Sequence, residues 1–229
     1  VKEPERVRKL LQGTASLEFW TTFDNSEISP YLMQANQLLA QLLSAEESEA
    51  REEEQEAAAT DVIARELEAQ GADDLAAYRK TNPLFAILQP SEGRGTACIG
   101  YANFSDTALV NRYLNMAQIR ELFPTEFRPM WSVKPASYLQ SDNIYELIAI
   151  KASSRDGQAP LDGSVVTDAR VSYDNGRGGY PGVSMTMNAE GANTWAHLTK
   201  DNIGKQVAIV LDGTVYSYPT VQSEITGGS

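Results

Sequence analysis

Between Glu46 and Glu68 the chain carries ten acidic residues against two arginines, a local net charge of −8 that no folded interior could hold. A stretch this polar stays in water as a solvated helix or an acidic linker. The fold therefore has to be assembled from the residues on either side of it. The run also accounts for most of the net charge of −12 on the 229 residues. Its carboxylates are evenly spread and lack the turn glycine and alternating ligands of a calcium loop. A chain this acidic suits neither the phosphates of a nucleic acid nor an anionic lipid surface.

The sequence before the acidic run reads helix, strand, helix. Val7, Leu10 and Leu11 give Glu3–Leu11 a helical stripe that Gly13 ends, and Ala15–Phe23 alternates as a strand. Ser29-Pro30 looks like a helix start, with Leu38, Leu39, Leu42 and Leu43 on the apolar face, and Ser44–Glu47 has capping-box spacing. Val62, Ile63 and Leu67 predict a further short helix that Gly71 closes.

Beyond it the period shifts toward strands. Ala97–Phe104 and Phe127–Val133 read as extended, with a helix between them that Ser105 caps and that holds Leu109, Val110, Tyr113 and Leu114. Ile144–Lys151 alternates, and two strands, Val165–Tyr173 and Val183–Asn188, flank a glycine-rich connection. A helix over Glu190–Lys200 leads to the strand Val207–Leu211, and Asp212-Gly213 marks a hairpin returning through Val215–Ser217. This order predicts an α+β fold with helices on one face of a sheet. The base domain is discontinuous, 1–25 with 144–229. Residues 26–143 form an inserted α/β head lobe, whose acidic helical segment spans 44–70.

No constellation for catalysis emerges. His197 is the one histidine and lies beside the helix stripe Ala192, Trp195, Ala196 and Thr199, so it is expected to be exposed. Cys98 is the one cysteine; it allows no intrachain disulfide and reads as a small buried hydrophobe. One histidine and one cysteine do not make a zinc site, no Gly-x-Ser-x-Gly elbow is present, and no glycine-rich loop has phosphate-cradle spacing. No catalytic, cofactor-binding or metal-binding residue is expected, and the chain is not expected to be an enzyme. Paired carboxylates in a cleft leave a hydrolase as a rival reading.

Three segments carry a family resemblance. Val1–Phe19 (VKEPERVRKLLQGTASLEF), Leu161–Arg170 (LDGSVVTDAR) and, most specifically, Val183–Gly228 with its core LTKDNIGKQVAIVLD over Leu198–Asp212 resemble the first periplasmic domain of the SecD family. Asp168 stands where the family often has a glycine-like turn, and the segment 26–143 is not matched. The resemblance implies that the base is ferredoxin-like and that the chain is a piece of a larger inner-membrane protein, with this domain in the periplasm. The transmembrane helices would lie outside the piece, and its two ends read as cut.

The implied role is to assist preprotein export driven by the proton gradient, beside SecF, the SecYEG channel and SecA, by contacting the emerging unfolded chain. Tyr101, Phe104, Tyr113 and Trp131 are the candidate contacts, with hinge movement expected near Thr22–Ser26 and Val133–Asn143. A soluble periplasmic chaperone or peptide-binding module is the alternative with the same binding physics.

Overall fold

The computed structural model describes residues 16–54, 70–139, 141–154, 156–174 and 180–227. The described strands are β1 (Leu17–Thr22), β2 (Gln89–Pro90), β3 (Cys98–Asn103), β4 (Phe127–Trp131), β5 (Ile144–Lys151), β6 (Leu161–Asp162), β7 (Val166–Asp174), β8 (Tyr180–Met187), β9 (Val207–Leu211) and β10 (Thr214–Ser217). The described α-helices are α1 (Asn25–Glu54), α2 (Gln70–Thr81), α3 (Thr107–Leu114), α4 (Ala117–Arg120) and α5 (Ala189–Asp201). The expected helix over Glu3–Leu11, the one around Val62, Ile63 and Leu67, and the connection 175–179 lie outside the described residues.

The main sheet runs β10-β9-β1-β5-β3-β2, with β4 also on β5 and β6 also on β1, while β7 and β8 form a separate two-stranded ribbon. Its ladders are antiparallel. The Asp212-Gly213 hairpin has the positive φ angles that this dipeptide accepts, 50° and 76°. Ser132 at the end of β4 makes a parallel bridge to Val215 of β10, and Val133 N–H donates to the Val215 carbonyl at 2.8 Å. The path β10-β9-β1-β5-β4 thereby returns to its start. Inside this ring lie Trp20, Met130, Ile148, Ile150, Ala208, Val210 and Val215, all buried.

Because strand side chains alternate, the neighbours of these residues face the other way. Leu147 and Ala149 of β5 pack with Ile28, Leu32, Ala35 and Leu39 of α1, and Leu17 and Phe19 of β1 pack with Leu198 of α5. The helices therefore cover one face while the sheet curls around its opposite one. The sheet draws on both expected lobes: β1, β5, β6, β9 and β10 from 1–25 and 144–229, and β2, β3 and β4 from 26–143. A boundary between the two would cut the ladder from Cys98↔Ile148 to Asn103↔Ile144.

Several helix ends differ from their sequence signals. The helix read from Ser29-Pro30 starts at Asn25 instead, because Asp24-Asn25-Ser26-Glu27 is itself a capping box. Asp24 Oδ1 accepts from Ser26 N–H at 2.8 Å and Glu27 Oε2 accepts from Asp24 N–H at 2.8 Å. Ser44 starts nothing; α1 runs through it to Glu54, and the Ser44 hydroxyl donates to the Gln41 carbonyl inside the helix. Gly71 lies within α2 and does not close a helix. Ser105 falls in a 3-10 turn, Phe104–Asp106, and α3 begins after it.

The expected hinge at Thr22–Ser26 is tied to three separate segments. Thr22 Oγ1 donates to the Gln206 carbonyl at 2.8 Å, Phe23 N–H to Ala149 at 2.9 Å and Asn25 N–H to Thr96 at 2.7 Å. Bending there would break all three bonds.

Candidate functional site

Strand β4 holds Pro129 at its centre, a residue tolerated only where no ladder N–H is needed. Ser132 N–H donates to the Glu146 carbonyl at 2.9 Å and Ala152 N–H to the Glu126 carbonyl at 2.8 Å. Between these two bonds the antiparallel alternation turns the backbone polar groups of Arg128 and Met130 toward β5. Those of Phe127, Pro129 and Trp131 point away from it. Phe127 N–H is used locally by the Pro124 carbonyl, at 2.9 Å.

A cavity of about 470 Å³ runs along this strand, bounded by Asn111 and Asn115 near α3, by Arg120 and by Gly213 and Thr214 of the β9–β10 turn. Trp131 forms part of its wall. The indole N–H donates to Asn111 Oδ1 at 2.9 Å, which pins the half-buried ring across to α3. Arg128 lays its guanidinium over the Trp20 ring at 5.3 Å and so joins the cavity lining to the ring interior. The result is an open, mixed polar and aromatic groove with strand backbone along its floor.

The four candidate residues do not converge. Trp131 and Tyr113 are both half-buried against the helix-side core, and of the two only Trp131 also lines the groove. Phe104 is 66% exposed at the end of β3, with its ring tilted against Tyr145 at 5.5 Å. Tyr101 belongs to the opposite face, packed against the ring interior, with its ring edge-on to Tyr138 at 6.3 Å.

Tyr101 leads to a second cluster, centred on Glu146. This carboxyl is only 8% exposed, and its Oε1 accepts the Tyr138 hydroxyl at 2.5 Å and the Tyr218 hydroxyl at 2.8 Å. The Tyr101 hydroxyl lies 3.1 Å from that of Tyr138. Burial of the hydroxyl ends, and then their bonds to the carboxylate, push the Tyr138 and Tyr218 phenols well above the usual tyrosine range. Both stay hydrogen-bond donors across physiological pH. The sequence signal for this cluster is an acid in an apolar stripe: Glu146 shares the inward parity of Ile148 and Ile150 in β5.

His197 is exposed, as expected. Among the described residues no three His, Cys, Asp or Glu side chains come together in a metal-holding group. Cys98 is buried, as read from the sequence, and burial pushes its thiol up to about 11. At pH 8 almost none of it is thiolate, so an aromatic disulfide reagent should leave the native chain unlabelled and react only after denaturation. Prompt labelling of folded protein would contradict this placement.

Residues 143–229 match the family model for the SecDF P1 head subdomain, and they include the segment 144–229 expected as base. SecD of Rhodothermus marinus is 38% identical over 231 aligned residues, which cover all of this chain and 35% of that protein. SecD of Leptotrichia buccalis is 51% identical over 73 residues, 32% of this chain and 18% of its own. SecDF of Thermus thermophilus is 46% identical over 72 residues, 31% of this chain and 10% of its own. The chain thus spans about a third of the R. marinus relative. A solved structure of SecDF, a membrane component that enhances protein export, aligns over 93% of this chain and 83% of its own at 23% identity and a TM-score of 0.30.

Proposed function

The chain belongs to the SecD/SecDF family, and we propose that it is the first periplasmic domain and works as the arm of a protein-export accessory subunit that contacts the emerging unfolded polypeptide. The observation that supports this most is the groove along β4. Carbonyls of Phe127 and Pro129 and the N–H of Trp131 turn away from β5 beside an aromatic wall, short of the bridge to β10. An extended chain of any sequence can bond to strand backbone and rest apolar side chains on such a wall, which gives weak, sequence-tolerant binding. Nothing in the arm is assigned a catalytic step.

In this reading the parent protein sits in the bacterial inner membrane with this domain in the periplasm, next to SecF, SecYEG and SecA. The proton gradient drives it through transmembrane helices beyond this chain. Among the described residues no helix is long and apolar enough to cross a membrane. Trp131, which lines the groove, is the favoured contact among the sequence candidates, Phe104 is an exposed second one, and Tyr101 and Tyr113 lie outside the groove lining.

The test is photo-crosslinking in membrane vesicles, with probes at Trp131 and at Tyr113 of the full-length parent and a preprotein stalled in the channel. The expected result is a crosslink from Trp131 that requires an engaged channel, with little from Tyr113. Equal crosslinking at both positions, or none at Trp131 while export proceeds, would remove the groove as the contact surface.

A further inference from the structure

The lining of the groove reaches Trp131 and Thr214. One residue further along each strand, at Ser132 and Val215, a second pocket of about 190 Å³ opens. Its floor is Glu146 and its walls include Tyr138, Tyr216 and Tyr218. The rings of Tyr138 and Tyr216 are 62% and 46% exposed, so they stand as a rim with the exposed Leu139 next to them.

A carboxylate this buried is ordinarily held by a cation. Here both bonds from tyrosine hydroxyls are made by neutral donors on one oxygen, and among the described residues no Lys, Arg or His nitrogen lies within 4 Å of Glu146. One carboxylate among aromatic rings suits an organic cation better than a metal ion, which needs several oxygen ligands.

Resting on the export-arm reading, we propose that this tyrosine-walled pocket binds the lysine or arginine side chain of an extended polypeptide lying in the adjoining groove. The ammonium or guanidinium ion-pairs with Glu146 and packs on the tyrosine faces, while the flanking residues continue along β4. The arm thereby favours segments that carry a basic residue. Lys134 also lines the pocket and is the competitor from within the chain.

The test uses the 229-residue chain and two short unstructured peptides that differ only in having lysine or norleucine at the centre, with binding read by fluorescence anisotropy. The lysine peptide should bind about tenfold more tightly. Glu146→Gln should abolish that preference and leave the norleucine peptide's binding as it was. Should Glu146→Gln fail to fold, Tyr216→Ala, on an exposed rim residue, should also reduce the preference.

Equal binding of both peptides by the wild type would overturn the cation pocket and leave the export-arm reading intact. Binding of neither would tell against the peptide groove itself. In that case resonance shifts of Tyr138 and Tyr218 on titration with Nα-acetyl-lysine amide would uphold the pocket, and their absence would overturn it. A lysine preference that emerges only after Lys134→Gln would also overturn the proposal, by assigning the pocket to Lys134.

Discussion

Replacing Trp20 by alanine should lower the unfolding free energy by about 3–5 kcal/mol, the range for truncating a large buried aromatic. Trp20 is 1% exposed and stands at the centre of the apolar interior that the five-strand ring encloses. Its indole N–H donates to Glu18 Oε2 at 2.8 Å and its face carries the Arg128 guanidinium, so truncation removes a hydrogen bond and a cation–π contact besides apolar area. Of the surrounding walls, β1, β5 and β9 are each hydrogen-bonded on both sides, and they cannot move inward to fill the space. The cavity should therefore persist. Trp20→Phe, which keeps most of the volume, should lose much less. Denaturant melts of the three proteins measure this directly, and a loss below about 1 kcal/mol for Trp20→Ala would mean that the ring can collapse.

Asn36→Leu should cost about 2–4 kcal/mol, through unmet hydrogen bonds in place of lost volume. Asn36 is 4% exposed on α1, and its Oδ1 accepts from the backbone N–H of Leu84 at 3.1 Å and of Phe85 at 3.2 Å. Its Nδ2 donates to Asn82 Oδ1 at 3.0 Å. A leucine there strands two backbone donors beneath the helix, where Leu84 is fully buried. Asn82→Ala is the informative control, because it removes only the half-exposed partner and should cost about 1 kcal/mol or less. If the two variants melt alike, the Asn36 side chain does not hold the 84–85 turn.

Much of the chain's regular structure was legible wherever one face of an element is apolar. Ile144–Lys151 and Val207–Leu211 were read with the ends they have, since each is an unbroken alternating or apolar run between turn residues. The α5 helix and the Asp212-Gly213 hairpin followed from equally local signals. Helix starts were less legible, because Ser29-Pro30 competes with Asp24–Glu27 and only the latter has both reciprocal side-chain bonds.

What the sequence hid is what depends on strands far apart meeting. The Ser132–Val215 closure has no local signature, and it fixes both the ring interior and one wall of the pocket. Of the four aromatic candidates only Trp131 lines the groove, since spacing along one strand does not say which face a distant strand completes. Glu146 was visible as an acid in an apolar strand, but the tyrosines that meet it come from 138 and 218, on either side in sequence.

The position of β1 has a consequence for how the molecule is made. Thr21 and Thr22 pair with Lys151 and Ile150, and Leu17 through Thr21 pair with Leu211 through Val207, partners that are made well after β1. β1 therefore gains its β5 neighbour only once Lys151 has been made, and its β9 neighbour only once Leu211 has. Chains emerging in order from amino to carboxyl end therefore hold β1, with its Phe19 and Trp20, unpaired until β5 has been made. Until its partners arrive, β1 of a nascent copy is an open strand, in the same physical state as the chains the domain is proposed to handle.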